Sequence, residues 1–268
     1  PGDAFVDVTF QVGPVGKMVR VFGDRHWIDG TGNLASHPAP FEAMPLVFER
    51  AFGGVDSLPP SGTPSEDAKR RYERRNPLGK GFRHKGPVKG LALPNLEDPR
   101  RLIGSVSDRP PPACFGFLGP DWEPRVKLAG TYDEDWMRRR MPLLPADFDA
   151  RFYNAAHPDL ISTVPLRGGE PVRVDHASPR GPLVFPLPSE PAPKAWAEMR
   201  GAQDTVFPMH LDTVIVDTLE HQVRLIWRGH FRPDRGVENI EAIGMGEKGE
   251  PAPALIFVPA DPEEKSQP

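Results

Sequence analysis

The chain has 268 residues, with 33 Lys+Arg against 37 Asp+Glu and a net charge of -4, so it can bury a real core and carries no overall charge that would draw it to nucleic acid. Hydrophobic residues at 38%, including 15 Phe and 5 Trp, exclude a disordered chain, and no apolar run reaches the roughly 18 residues of a membrane helix. Cys114 is the only cysteine, which excludes an internal disulfide and a thiolate metal cage, while 35 prolines exclude long helices and long central strands.

A mean hydropathy of -0.45 describes a soluble protein, and the lone cysteine makes a reducing cytoplasm the expected home. The chain opens on Pro1 rather than Met, so a preceding piece is expected. Charge is distributed unevenly. Residues 66–109 hold 12 Lys+Arg against 6 Asp+Glu, whereas residues 234–268 hold 3 against 8, which gives a basic belt and an acidic tail.

In chain order, Phe5, Val6, Val8 and Phe10 and then Met18, Val19, Val21 and Phe22 alternate around Gly13-Pro14-Val15-Gly16, which predicts a hairpin ending at Gly23. Leu46 to Gly54 predicts a short strand or turn closed by a glycine pair. Ser65 to Arg75 predicts a polar helix with Ser65 as N-cap and Pro77 as stop. The Pro94–Pro99 and Pro110–Pro112 stretches mark irregular connections. Thr131 to Met141 predicts the best-defined helix: Thr131 and Glu134 form a capping box, arginines fill the last turn, Pro142 ends it, and Trp136 and Met137 are the apolar anchors.

Met209 to Asp217 and Val223 to Arg228 predict two strands around Glu220-His221, and Ala254 to Val258 an edge strand before the acidic end. These elements predict a mainly β fold, a sandwich or partly open barrel with short helices and long Pro-rich loops. One domain is expected over 1–268, with Pro186 to Pro193 as the place for a hinge to a small C-terminal subdomain, 194–268.

Signatures of chemistry are sparse. Gly244-Met245-Gly246-Glu247-Lys248-Gly249 matches G-x-G-x-x-G, but Glu250-Pro251 follows where a helix must open, so a flexible turn is expected. Gly79-Lys80-Gly81 lacks the upstream glycine of a phosphate loop. No cofactor and no metal site is expected. His157-Pro158-Asp159 is the best acid-base or metal candidate, although the same three residues build ordinary turns. Asp147 and Asp149 are a candidate carboxylate pair, as are Asp133 and Asp135, and each pair also suits a cap or an ion pair with a nearby arginine. Ser105 and Cys114 lack a nucleophile context.

The stretch from Ala113 to Leu160 is dense in aromatics, prolines and paired charges. Together, FERAFGG from Phe48, RRNPLGKGF from Arg74, LALPNLEDP from Leu91, FGFLGPDWEPR from Phe115, AGTYDEDWMRRRMPLLPADFDARFYNAAHPD from Ala129 and GGEPV from Gly168 carry a family resemblance. The chain resembles the domain-of-unknown-function family numbered 2169, which occurs beside type VI secretion genes, over roughly Asp7 to Arg228. It departs from that pattern at His157-Pro158-Asp159-Leu160 and after Phe231.

The resemblance implies a non-enzymatic adaptor or chaperone that binds a protein toxin, the effector, and helps load it onto the VgrG and PAAR spike proteins. No nucleic acid or membrane partner is implied. Trp122, Arg125, Asp133, Trp136, Arg138, Asp147, Phe148, Asp149, Arg151 and Tyr153 have the composition of binding hot spots and are the candidate contact residues. The alternatives are a hydrolase using Asp147, Asp149 or His157, and a structural β module of the secreted particle.

Overall fold

The computed structural model describes residues 4–56, 71–189, 193–201, 203–218, 220, 222–231 and 239–246. It is mainly β with a few short helices, and one of its sheets forms a half-barrel. The chain divides into two compact units, residues 1–161 with 172–185, and residues 162–171 with 186–268.

In the first unit β1 (Phe5–Val12) and β2 (Val15–Phe22) form the expected hairpin, in register from Phe5↔Phe22 to Val12↔Val15. β5 (Leu96–Glu97) pairs with the outer side of β2, and β6 (Pro171–Asp175) pairs with β1 from Thr9↔Asp175 to Val12↔Val172. With β7 (Leu183–Pro186) the five-stranded order is β5-β2-β1-β6-β7. Period-two alternation sends Val8, Val19 and Val21 to one face, where Phe48, Ala51, Leu96, Cys114, Leu118 and Trp122 complete a core. Irregular chain from residues 46–52 and 113–122 therefore covers this face. Lys17 falls on the same buried face as Val19 and Val21.

Irregular backbone inside a core must still satisfy its peptide groups. Two asparagines, each fully buried, do this. Asn76 Nδ2 donates to the carbonyls of Phe48 (2.8 Å) and Phe52 (3.0 Å), while its backbone carbonyl accepts from Gly54 N at 2.8 Å. Asn95 Nδ2 donates to Phe22 O (3.1 Å) and Asp24 Oδ1 (3.0 Å), and its backbone bonds Phe22 N and Arg50 O. Between them run β3 (Phe52–Gly53) and β4 (Lys80–Gly81), a two-residue parallel pair. At Gly54, φ is +92° and a Cβ would lie 2.1 Å from Gly79 O, so the glycine pair is what lets these strands close. Nearby, Arg25 pairs with the buried Glu97 and stacks 3.7 Å over the Phe22 ring; burial raises the Glu97 carboxyl above its usual range despite that partner.

The second unit holds an antiparallel sheet of β8 (Lys194–Met199), β9 (Thr205–Asp217), β10 (Gln222–Gly229) and β11 (Ile240–Met245), in the order β10-β9-β8-β11. β9 and β10 contain the two strands expected there, with a register shift at Ile226/Trp227. Ala195, Ala197, Met199, Met209 and Leu211 are buried.

Several expectations are corrected. The helix expected over Thr131 to Met141 is confined to α1 (Glu134–Arg139), with Asp133 rather than Thr131 as N-cap. Gly244 is not in a turn but in β11 opposite Trp196, where a Cβ would lie 2.2 Å from the indole. The first glycine of the G-x-G-x-x-G pattern thus makes room for a ring. The helix expected over Ser65 to Arg75 lies mostly outside the described residues, and Arg71 to Arg75 form a bridge and turn. The expected strand Ala254 to Val258 also lies outside them.

Replacing Asn76 by Leu removes the donors from two buried carbonyls and is expected to cost about 2–4 kcal/mol, read as a lower urea midpoint. Leu78→Ala, at an exposed position two residues on, is the control and leaves the midpoint in place. Equal midpoints for the two variants would remove Asn76 from its stitching role.

Candidate interaction surface

The aromatic-rich segment is fixed to the first unit at three points. Trp122, 7% exposed, meets Phe48 edge-on with ring centres 5.2 Å apart. It belongs to the core, which corrects its place among the contact residues. Arg125 follows in a 3-10 turn (Arg125–Leu128), donates to Leu118 O (2.6 Å) and Phe152 O (3.0 Å), and lies 4.9 Å over the Phe152 ring. Its guanidinium is spent inside the segment.

The third point is His157, 7% exposed at the head of the turn Pro158–Leu160. Its Nε2 lies 3.0 Å from Pro112 O, and its Nδ1 faces Lys17 Nζ at 2.8 Å and Asp159 N at 3.2 Å. Two donors converge on Nδ1, so the ring is neutral with its proton on Nε2, donated to Pro112 O. Burial, and then the Lys17 charge, hold His157 below the usual imidazole range. Lys17 is itself depressed by burial and bonds Asp159 Oδ2 at 3.2 Å. The histidine considered for acid-base chemistry is thus a latch that docks the end of the segment onto β2.

Between these points the carboxylates are engaged by the chain itself. Asp133 caps α1 by accepting from Trp136 N at 2.9 Å. Asp147 accepts from Thr131 N (2.9 Å) and Oγ1 (2.7 Å), and these bonds lower its pKa. Asp149 caps the turn Ala150–Tyr153 and binds Arg151, which brings it down to about 2. Both stay ionised at neutral pH, whereas a general acid needs a raised pKa. Trp136 is half-buried, donates from Nε1 to Leu143 O (2.8 Å) and meets Tyr132 at 4.8 Å, so it holds the chain that leaves α1.

Arg138 is exposed and pairs with Glu134 at 3.2 Å, and Arg139 with Asp135 at 2.8 Å. Phe148, Phe152 and Tyr153 form a ring cluster with centres 5.3 to 6.1 Å apart, of which Tyr153 faces solvent. The residues left outermost are largely ones the sequence reading passed over. Met141 (62% exposed), Met137 (60%) and Tyr132 (53%) are joined by Val126 and Leu143. Met137 is not the anchor expected of it. Its spacing of four from Met141, which stands two residues beyond the end of α1, was the available signal. Methionine suits such a surface because its flexible, polarizable side chain adapts to different partners.

Among the described residues no helix is long and apolar enough to cross a membrane, and no cluster of three or more metal-binding side chains forms. Residues 2–228 match the model of the family described as "Uncharacterized protein conserved in bacteria (DUF2169)", and the chain belongs to that family. No curated protein and no solved structure matches it. The matched span takes in both asparagine stitches and the whole aromatic segment.

A pH dependence follows from His157. Its pKa is lower folded than in the free residue, so the unfolded chain takes up the proton first, and stability is full above about pH 6.5 and lost as pH falls below it. The melting temperature is expected to drop between about pH 7.5 and 5.5, and the drop to shrink in His157→Leu, which is also less stable at pH 7.5 by about 2–4 kcal/mol. Glu97 titrates in both proteins, so the difference isolates the histidine. Parallel pH curves would refute the latch.

Proposed function

We propose that this member of the family is a non-enzymatic adaptor that binds a type VI secretion effector and helps load it onto the VgrG/PAAR spike in the bacterial cytoplasm. The observation that carries this reading is the exposure of Tyr132, Met137, Met141 and Tyr153 on a segment held to the core at Trp122, Arg125 and His157. Large apolar side chains left exposed on a firmly held segment are surface that a partner can cover. The family resemblance supplies the type of partner: an effector and a spike protein held together raise the concentration of one beside the other.

The surface charges argue in the same direction. Arg138, Arg139 and Arg151 are neutralised by neighbours on their own elements, so this face presents apolar surface without net attraction for polyanions. A partly unfolded or amphipathic cargo segment suits it.

The test is co-purification of the tagged chain from its own bacterium with an effector and a spike protein, repeated with Met137→Glu and Met141→Glu. Both side chains point to water, so folding is expected to be unchanged, within about 0.5 kcal/mol. Recovery of both partners by the parent chain, with the effector lost by the variants, supports adaptor and surface together. Recovery of neither partner by the parent chain overturns the adaptor reading. Equal recovery by parent and variants moves the cargo site elsewhere. Trp136→Ala would be a poor probe, because Trp136 holds Leu143 and its loss disturbs the fold of the segment.

A further inference from the structure

Part of the basic 66–109 region packs around Asp56, while Arg74, Lys80 and Arg100 pair elsewhere. Asp56 Oδ1 accepts from Arg83 Nη1 at 2.8 Å and Oδ2 from His84 N at 3.2 Å, while its own N–H donates to Arg71 O at 2.8 Å. Glu73, beside it, is buried and held by Arg75 through Nε (2.7 Å) and Nη2 (2.9 Å). Asp108 is turned to the amides of Gly104 and Ser105. Each carboxylate within the cluster is therefore already occupied.

Arg83 and Arg75 are taken up by these pairs, and three further cations are not. Arg109 is exposed, yet its guanidinium is fixed: Nη1 donates to Val106 O (2.7 Å) and Asp108 O (2.8 Å), Nη2 donates to Arg83 O (2.6 Å), and Cζ lies 5.3 Å over the Phe82 ring. Three carbonyls and a ring face orient this charge without neutralising it. Unlike Arg125, Arg109 is an exposed residue, so a carboxylate from outside can approach its charge. Arg71 and Lys85 are exposed and pair with no carboxylate among the described residues. Hydrogen bonds bring their chain segments together: Asp56 N–H donates to Arg71 O, its Oδ2 accepts from the amide of His84, the residue before Lys85, and Arg109 donates to Arg83 O. Val55 and Tyr72 form an isolated bridge there and are both exposed, at 42% and 47%.

We infer that Arg71, Lys85 and Arg109, with Tyr72 beside them, form a second docking site that takes an acidic segment of a partner protein. Carboxylates fit the preset guanidinium and the mobile ammonium, and an apolar residue between them fits Tyr72 and Val55. A nucleic acid fits less well. Its regular phosphates call for a stripe of cations, whereas this cluster is compact and the whole chain carries -4. The inference rests on the adaptor reading only in taking the partner to be a protein. It gives that adaptor a contact chemically unlike the apolar face around Met137.

The experiment titrates the purified full chain with a fluorescent peptide of about twelve Glu and Asp residues, by anisotropy, with a thymidine oligonucleotide of the same length beside it. The peptide is expected to bind, to weaken about tenfold or more between about 50 and 300 mM NaCl, and to bind more tightly than the oligonucleotide. Arg71→Glu and Lys85→Glu are each expected to weaken peptide binding about fivefold or more without moving the melting temperature, while Met137→Glu leaves it unchanged. No binding at low salt, binding indifferent to both charge reversals, or tighter binding of the oligonucleotide through the same residues would each overturn the inference. Because no effector or spike protein enters this titration, its failure leaves the co-purification result standing, and the converse also holds.

Discussion

Satisfying the backbone of long irregular segments inside a core is the constraint on which the first unit depends. A chain with 35 prolines cannot cover its sheet with long helices, so loops must do it, and loops bring unpaired peptide groups. Asn76 and Asn95 answer this by acting as portable pieces of backbone. Each offers an amide where no strand runs, and each sits where the chain crosses itself far from its own sequence neighbourhood, Asn76 with Phe48 and Phe52, Asn95 with Phe22 and Asp24. The glycine pair Gly53-Gly54 completes the arrangement by letting backbone approach backbone.

This explains what could be read from the sequence and what could not. The β1–β2 hairpin and the β9 and β10 strands were legible because alternation is a local signal and their partners lie one turn away. β6 and β11 were not, since short strands that pair across long stretches of sequence leave no periodic trace. Thr131 read as a capping box on spacing alone, but its hydroxyl found Asp147, sixteen residues on, and the cap passed to Asp133. A motif at the right spacing competes with every long-range partner that the fold brings near.

The candidate surface was half legible for a related reason. Composition singled out this segment, yet within it several of the aromatic and arginine side chains with the strongest binding character are used by the fold itself. Trp122 and Arg125 make the contacts that hot-spot residues make, only with their own chain. What faces outward is chemically plainer: methionines, a tyrosine, a valine. His157 illustrates the converse. Its neighbours Pro158 and Asp159 suggested a local turn, correctly, while its pairing with Lys17, 140 positions away, had no signature in sequence at all.

The three-point attachment of the 113–161 segment also separates two kinds of evolutionary demand. Trp122 and Arg125 fix its start, His157 fixes its end, and α1 rides between them with its outer side chains touching little of the core. Substitutions on that outer side cost little stability, because the bonds that position it belong to other residues, and under the proposed adaptor role they alter what the surface recognises. Under that role scaffold and specificity reside in different side chains of one short stretch, and a lineage could change its partner by drift at Met137 or Met141 while the frame beneath stays fixed.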